Sequence, residues 1–186
     1  MRQVIPPELI LRRFLTTMNP VKSSHHFNTP PWFLNIVRKL DPRGIGLDPC
    51  SNAYSQVQAR TAYVESDNGL AQSWRGHGLL FMNPPHSQSP YNIEPWMQKA
   101  HEEFVVGTGD PLDQFVGLVP CKTDTQWFHE HVVPMHAICF PQKRIEYWLE
   151  GVPTEGGGQF ASIVVYHGCQ VDYFAALFGP LGLIVT

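Results

Sequence analysis

The sequence predicts an α/β fold, a mostly parallel sheet with an antiparallel hairpin toward the C-terminal end. Three observations carry this. Short apolar runs such as LLFM, FVGLVP and ASIVVY recur along the chain, and runs of this kind read as strands buried on both faces. Between them lie segments with apolar residues at helical spacing, the alternation expected of a parallel sheet. The segment between the last two strand candidates holds Gly156, Gly157 and Gly158, which suits a hairpin connection.

Taken in order, residues 7–17 follow Pro6 and Pro7 and read as a short helix, and residues 19–28 as a loop. TPPWFLNIVRKL carries Phe33, Ile36, Val37 and Leu40 on one helical face. Thr29 is the expected N-cap and Pro30 the first helical residue. GIGLD (44–48) and TAYVESD (61–67) read as strands ending in acids, and LLFMNPP (79–85) as a strand entering a rigid turn. A helix is expected near 93–106, with Trp96, Ala100 and Phe104 at four-residue spacing. FVGLVP (115–120) is the next strand. TDTQWFHEHV (123–132) is a helix capped by Thr123 or Asp124, with Trp127 and Phe128 packed in the core. AICF, RIEYW and ASIVVY are three further strands, the last two expected to form the hairpin.

At 186 residues the chain has the length of one domain with one core. The expected division is an N-terminal extension over 1–28, a core over 29–168 and a helix or tail over 169–186. No apolar run is long enough to predict a membrane span. Arginines interrupt the N-terminal apolar stretch, so a signal peptide is not expected and a cytoplasmic location is. Cys50, Cys121, Cys139 and Cys169 form no C-x-x-C pair, and reduced thiols with no bound metal are expected. A net charge of -3 does not announce a nucleic-acid binder. A local patch drawn from Arg12, Arg13, Lys22, Lys122, Lys143 and Arg144 would still suffice to hold phosphates.

The sharpest feature is Asn83-Pro84-Pro85-His86 at the end of an apolar strand. Ligands of open α/β sheets sit beyond the carboxyl ends of strands. Two prolines fix φ twice and remove two N–H donors. What remains is carbonyl oxygens and the Asn83 amide oxygen, rigid acceptors suited to both hydrogens of a planar NH₂ group. Holding both hydrogens favours a pyramidal nitrogen, with its lone pair aimed at an incoming methyl. No strong base is needed first, because the amine becomes more acidic as it is alkylated, and alignment supplies much of the acceleration.

With these residues in view, the sequence resembles the phage-type Dam family of DNA adenine-N6 methyltransferases. The matching pieces are TPPWF (29–33), GLDPCSN (46–52), ESDNGLAQSW (65–74), LLFMNPPHS (79–87), EPWMQKAHEE (94–103), LVPCKTDTQWFHE (118–130) and RIEYW (144–148). The resemblance implies a Rossmann-like fold that takes S-adenosylmethionine (SAM) as methyl donor and DNA as partner. It implies that Asn83, Pro84, Pro85 and His86 form the catalytic turn. Thr29, Pro30, Asp48, Pro49 and Cys50 then line the cofactor site, with Glu65 or Asp67 on its adenosine. Tyr91, Lys122, Thr123 and Asp124 are the expected substrate contacts.

The chain departs from the family pattern twice. No G-x-G follows Asp48, which is tolerable because SAM carries no phosphate to cradle. Asp48 and Asp67 are also close in sequence, so a strand–helix unit is expected to be shortened or absent. His86 stands where the family has an aromatic that stacks on the flipped base. His86 stacks in its place, Tyr91 substitutes, or neither does. A homodimer is compatible with the small size. The alternatives are transfer to another planar amino group (RNA adenine, cytosine N4, a glutamine amide) or an inactive SAM- or DNA-binding relative.

Overall fold

The computed structural model describes residues 27–85, 92–107, 110–154 and 160–186 of the chain. The helix and most of the loop expected before residue 27 lie outside them. Ten strands form among the described residues: β1 (Phe27–Asn28), β2 (Leu47–Asp48), β3 (Thr61–Ala62), β4 (Leu79–Met82), β5 (Gln114–Pro120), β6 (Ala137–Pro141), β7 (Trp148–Leu149), β8 (Val152–Pro153), β9 (Ser162–His167) and β10 (Gly182–Val185). The helices are α1 (Pro31–Val37), α2 (Glu94–His101), α3 (Gln126–His131) and α4 (Val171–Phe178).

Seven strands make one mixed sheet in the order β10-β6-β9-β5-β4-β2-β3. Strands β3, β2, β4 and β5 are mutually parallel. β9 runs against both β5 and β6, and β10 runs against β6. Strand β6 therefore points the same way as β5, while β9 and β10 point the other way.

The apolar runs are continuous because both faces of the sheet are covered. Side chains alternate between faces along a strand. Leu79 and Phe81 of β4 join Val116 and Leu118 of β5 and Val164 and Tyr166 of β9 in one core, closed by Phe33 and Leu34 of α1 and Phe174 and Phe178 of α4. Leu80 and Met82, with Phe115, Val119, Ile163 and Val165, face the opposite core, closed by Met97 and Ala100 of α2 and Trp127 and Phe128 of α3. The structure is thus three layers, helix–sheet–helix. Truncating a fully buried ring such as Phe81 would cost ~3–5 kcal/mol.

Several local expectations are corrected. RIEYW does not pair with ASIVVY. Trp148 and Leu149 pair instead with β1 and β8 in a separate three-stranded sheet, and β9 inserts between β5 and β6. The antiparallel part of the sheet is real, but its partners are different. The segment after residue 168 holds α4 and then the edge strand β10, so it is more than a helix with a tail. Pro30, not Thr29, is the N-cap of α1, with extended backbone and no side-chain cap, its carbonyl accepting the N–H groups of Phe33 and Leu34. Thr125, not Thr123 or Asp124, stands at the N-cap of α3, its hydroxyl donating to the Lys122 carbonyl at 2.7 Å. β2 and β3 are joined across residues 49–60 with no helix between them, the shortened unit that the spacing of Asp48 and Asp67 predicts. The run 93–106 is helical as expected, although it relaxes into a π-type turn over Glu102–Val106.

Candidate active site

Because β2, β4 and β5 are parallel, their carboxyl ends share one edge of the sheet. Asp48 ends β2, Asn83 follows β4, and Lys122 follows β5. A cleft of about 250 Å³ opens at the first two, lined by Phe27, Asn28, Thr29, Asp48, Cys50, Asn52, Ser55, Val57, Phe81 and Asn83.

Asp48 is 3% exposed, and its carboxylate is held by its own loop. Oδ1 accepts the Cys50 N–H at 3.3 Å and Oδ2 accepts the Ser55 hydroxyl at 3.1 Å. The Ser51 side chain adds a further hydrogen bond. Burial outweighs these hydrogen bonds and raises the carboxyl from the ordinary 3.8 to about 6. The Cys50 thiol accepts the Asn83 backbone N–H, tying this loop to the Asn-Pro-Pro turn. Burial, and then the neighbouring Asp48 carboxylate, hold that thiol well above its usual range, so it stays neutral.

Asn83 is organised differently. Its Oδ1 is buried and has no partner among the described residues. The Thr29 hydroxyl in the same cleft is also buried without a partner. Orphaned buried polar atoms are costly, ~1–3 kcal/mol each, and in a native protein they mark places where a ligand or water completes the set. The cleft lining carries one carboxylate and no Lys or Arg among the described residues. It favours a ligand that brings positive charge to Asp48 and hydrogen-bond donors to Asn83.

Of the residues singled out from the sequence, Thr29, Asp48, Cys50 and Asn83 line the cleft. Pro84 and Pro85 follow Asn83 in sequence, Pro84 buried and Pro85 half-buried, and neither lines the cleft. His86 and Tyr91 lie outside the described residues. Pro30 and Pro49 act through backbone: Pro30 starts α1, and the Pro49 carbonyl packs so closely on Gly69 that a Cβ there would collide with it. Glu65 and Asp67 sit on an exposed 3₁₀ turn after β3. The Asp67 carboxylate accepts the Val64 N–H at 2.8 Å, and neither acid lines the cleft. Lys122, Thr123 and Asp124 are exposed beyond β5, on the same edge but outside the cleft. Trp127 and Phe128 are buried in the core, 6% and 5% exposed.

Sequence reasoning missed Phe27, Asn28, Asn52, Ser55, Val57 and Phe81. Asn28, 4% exposed, donates from Nδ2 to Asn52 Oδ1 at 3.0 Å and accepts the Gly151 N–H at 3.3 Å. It thereby ties the small sheet to the Asp48 loop. Asn52 stands inside the GLDPCSN motif, which was the available signal. Phe81 lies in the LLFM strand that the sequence did show, and Phe27, Asn28, Ser55 and Val57 have no pattern of their own.

The family described as DNA N-6-adenine-methyltransferase (Dam) matches residues 17–167, most of the chain. The chain belongs to the Dam family. The resemblance read from TPPWF, GLDPCSN and LLFMNPPHS therefore holds at the level of the family, and so does DNA adenine N6 methylation as the family's activity. Methyltransferases of this kind generally use SAM as donor. No curated protein and no solved structure matches the chain. No described helix is long and apolar enough to cross a membrane. The described residues of this Dam-family protein also bring no three His, Cys, Asp or Glu side chains together as a metal site.

Proposed function

We propose that this protein transfers a methyl group from SAM to N6 of an adenine in DNA, and that the cleft between Asp48 and Asn83 is where transfer occurs. The observation that carries the reading is the unpartnered, buried Oδ1 of Asn83 in the same cleft as the buried Asp48 carboxylate. The mixed sheet, with β9 reversed between β5 and β6, is compatible with a Rossmann-like methyltransferase core.

The residues fit the donor. Asp48 is a buried anion with no cation beside it in the cleft, suited to an ammonium or sulfonium. Thr29 offers a hydroxyl that can both donate and accept, and Phe27, Val57 and Phe81 give apolar walls. SAM supplies an electrophilic methyl on positively charged sulfur. Glu65 and Asp67, at the end of β3, are proposed to meet its adenosine part.

The adenine leaves its stack and presents its NH₂ to the turn. Asn83 Oδ1 accepts one amino hydrogen and the Pro84 carbonyl the other. Both acceptors are fixed before the base arrives, Asn83 by its N–H to the Cys50 sulfur and Pro84 by its ring. Preorganised dipoles of this kind need no rearrangement as charge develops on nitrogen. The nitrogen turns cationic as it is alkylated, and its surplus proton then leaves to water. His86 or Tyr91 is proposed to stack on the base, Pro85 to stiffen the turn, and Lys122, Thr123 and Asp124 to meet the DNA backbone.

Incubating the protein with unmodified DNA and methyl-labelled SAM, then digesting the DNA and weighing its nucleosides, tests the reading. Label in N6-methyladenine is the expected result. Label only in N4-methylcytosine moves the target to another planar amino group, and SAM binding with no label in any base marks a binding protein.

A further inference from the structure

The loop that follows β2 has replaced a helix with a short polar segment, and one of its side chains is committed to Asp48 in a way that the family match does not assign. Ser55 Oγ lies 3.1 Å from Asp48 Oδ2 and 3.3 Å from the Val57 backbone nitrogen. A serine hydroxyl has one hydrogen and two lone pairs. The Val57 N–H can only donate, so it occupies a lone pair of Oγ. The carboxylate can only accept, so the single hydroxyl hydrogen points to Asp48. The direction of this hydrogen bond is therefore fixed by the backbone.

Ser55 also lines the cleft, with Asn52, Val57, Asn28, Thr29, Phe81 and Asn83. Asp48 and Cys50 are the titratable groups in this lining among the described residues, and the loop's one cation, Arg60, is directed instead to the Arg43 and His77 carbonyls. The orientation and ionisation of the Asp48 carboxylate rest on Ser51, the Cys50 N–H and thiol, and Ser55. Ser55 adds a hydroxyl whose lone pair accepts the Val57 N–H at 3.3 Å.

We propose that Ser55 is a positioning residue for the methyl-donor site, holding the Asp48 carboxylate ionised and aimed into the cleft through a hydroxyl that Val57 orients. The proposal rests on the reading of the cleft as the SAM site. On this reading the loop between β2 and β3, where a helix is absent, serves to supply donors to one buried anion.

The test uses the full chain as wild type, Ser55→Ala and Ser55→Thr. The Asp48 carboxyl is titrated by NMR without ligand, SAM affinity is measured by calorimetry across pH, and KM and kcat are measured with DNA. In Ser55→Ala the carboxyl midpoint is expected to rise by about half a unit or more. SAM binding should weaken about tenfold at pH 7, the scale of losing one hydrogen bond to a charged group, with kcat at saturating donor within about twofold of wild type. Ser55→Thr, which keeps the hydroxyl, should restore most of both. A role confined to loop structure would leave the Asp48 midpoint where it is. If Ser55→Ala does not fold, Ser55→Cys, a weak donor of similar volume, should fall between wild type and loss. Wild-type binding with an unmoved midpoint and unmoved affinity in Ser55→Ala or Ser55→Cys overturns this proposal alone. A wild-type protein that does not bind SAM overturns the parent reading, and this one with it.

Discussion

The turns after β2 and β4 sit side by side on one sheet edge, yet they solve opposite problems. Asp48, after β2, is buried and supplied with donors from Ser51, Cys50 and Ser55. Asn83, after β4, is anchored through its backbone while its side-chain oxygen has no partner among the described residues. The first turn buries a charge and offsets part of its cost with hydrogen bonds. The second leaves an acceptor unpaired among the described residues. An orphaned acceptor next to a satisfied anion is what methyl transfer to an amine asks for, a place for positive charge beside a place for N–H groups.

The contrast can be broken one turn at a time. The largest effect is expected at Asn83. Asn83→Ala removes the acceptor and should lower kcat about 10³-fold, the usual scale for losing a preorganised dipole, while SAM affinity by calorimetry stays within about tenfold.

Asp48→Asn should do the reverse. SAM binding weakens by about 10²-fold as the charge is lost, and the unliganded protein gains ~1–3 kcal/mol of stability at pH 7 in urea unfolding, because burying an ionised carboxylate is costly. The sign follows from the folded pKa of about 6 lying above the ordinary 3.8. The folded protein takes up a proton between these values, so its stability rises as pH falls through about 6.

The same shift predicts the pH dependence of binding. Ionised Asp48 prevails above about pH 6, so SAM affinity should fall about tenfold between pH 7 and pH 5. Asp48→Asn should abolish that slope.

The smallest effect is structural. Gly69 packs against the Pro49 carbonyl with no room for a Cβ, and Trp74 Nε1 donates to the Gly69 carbonyl at 2.8 Å. Gly69→Ala should push the Pro49 turn away, weaken SAM binding a few fold and cost ~1–3 kcal/mol in thermal or urea unfolding.

How much of this was legible in the sequence divides along physical lines. β4, β5 and β9 could be read because strands buried on both faces are almost entirely apolar. β10 escaped, since GLIV is too short to be told from a tail. RIEYW was assigned the wrong partner because strand pattern does not name the neighbour, and the glycines of 156–158 suggested a hairpin that the pairing of β7 with β1 and β8 does not form. At the site, Asp48 and Asn83 stood out because each ends an apolar run. Thr29 and Cys50 entered through the family resemblance, and the structure brings both to the cleft. Asn28, Asn52 and Ser55 have no periodicity to read; the positions of Asn52 and Ser55 follow from loop closure between β2 and β3, and that of Asn28 from the pairing of β1 with β7. Glu65 and Asp67 could be found as acids at a strand end, but nothing in their spacing indicated that the chain would turn out to solvent there.

The central claim is that an oxygen at position 83, placed by the turn, accepts an amino hydrogen during transfer. Single-turnover methyl transfer to unmodified DNA at saturating SAM, with Asn83→Asp beside Asn83→Ala, addresses it most directly. Asp keeps an oxygen at the same place, so its rate should exceed that of Ala by about tenfold or more, with SAM affinity similar in both. Equal rates for the two variants, or an Ala variant within about tenfold of wild type, would contradict it.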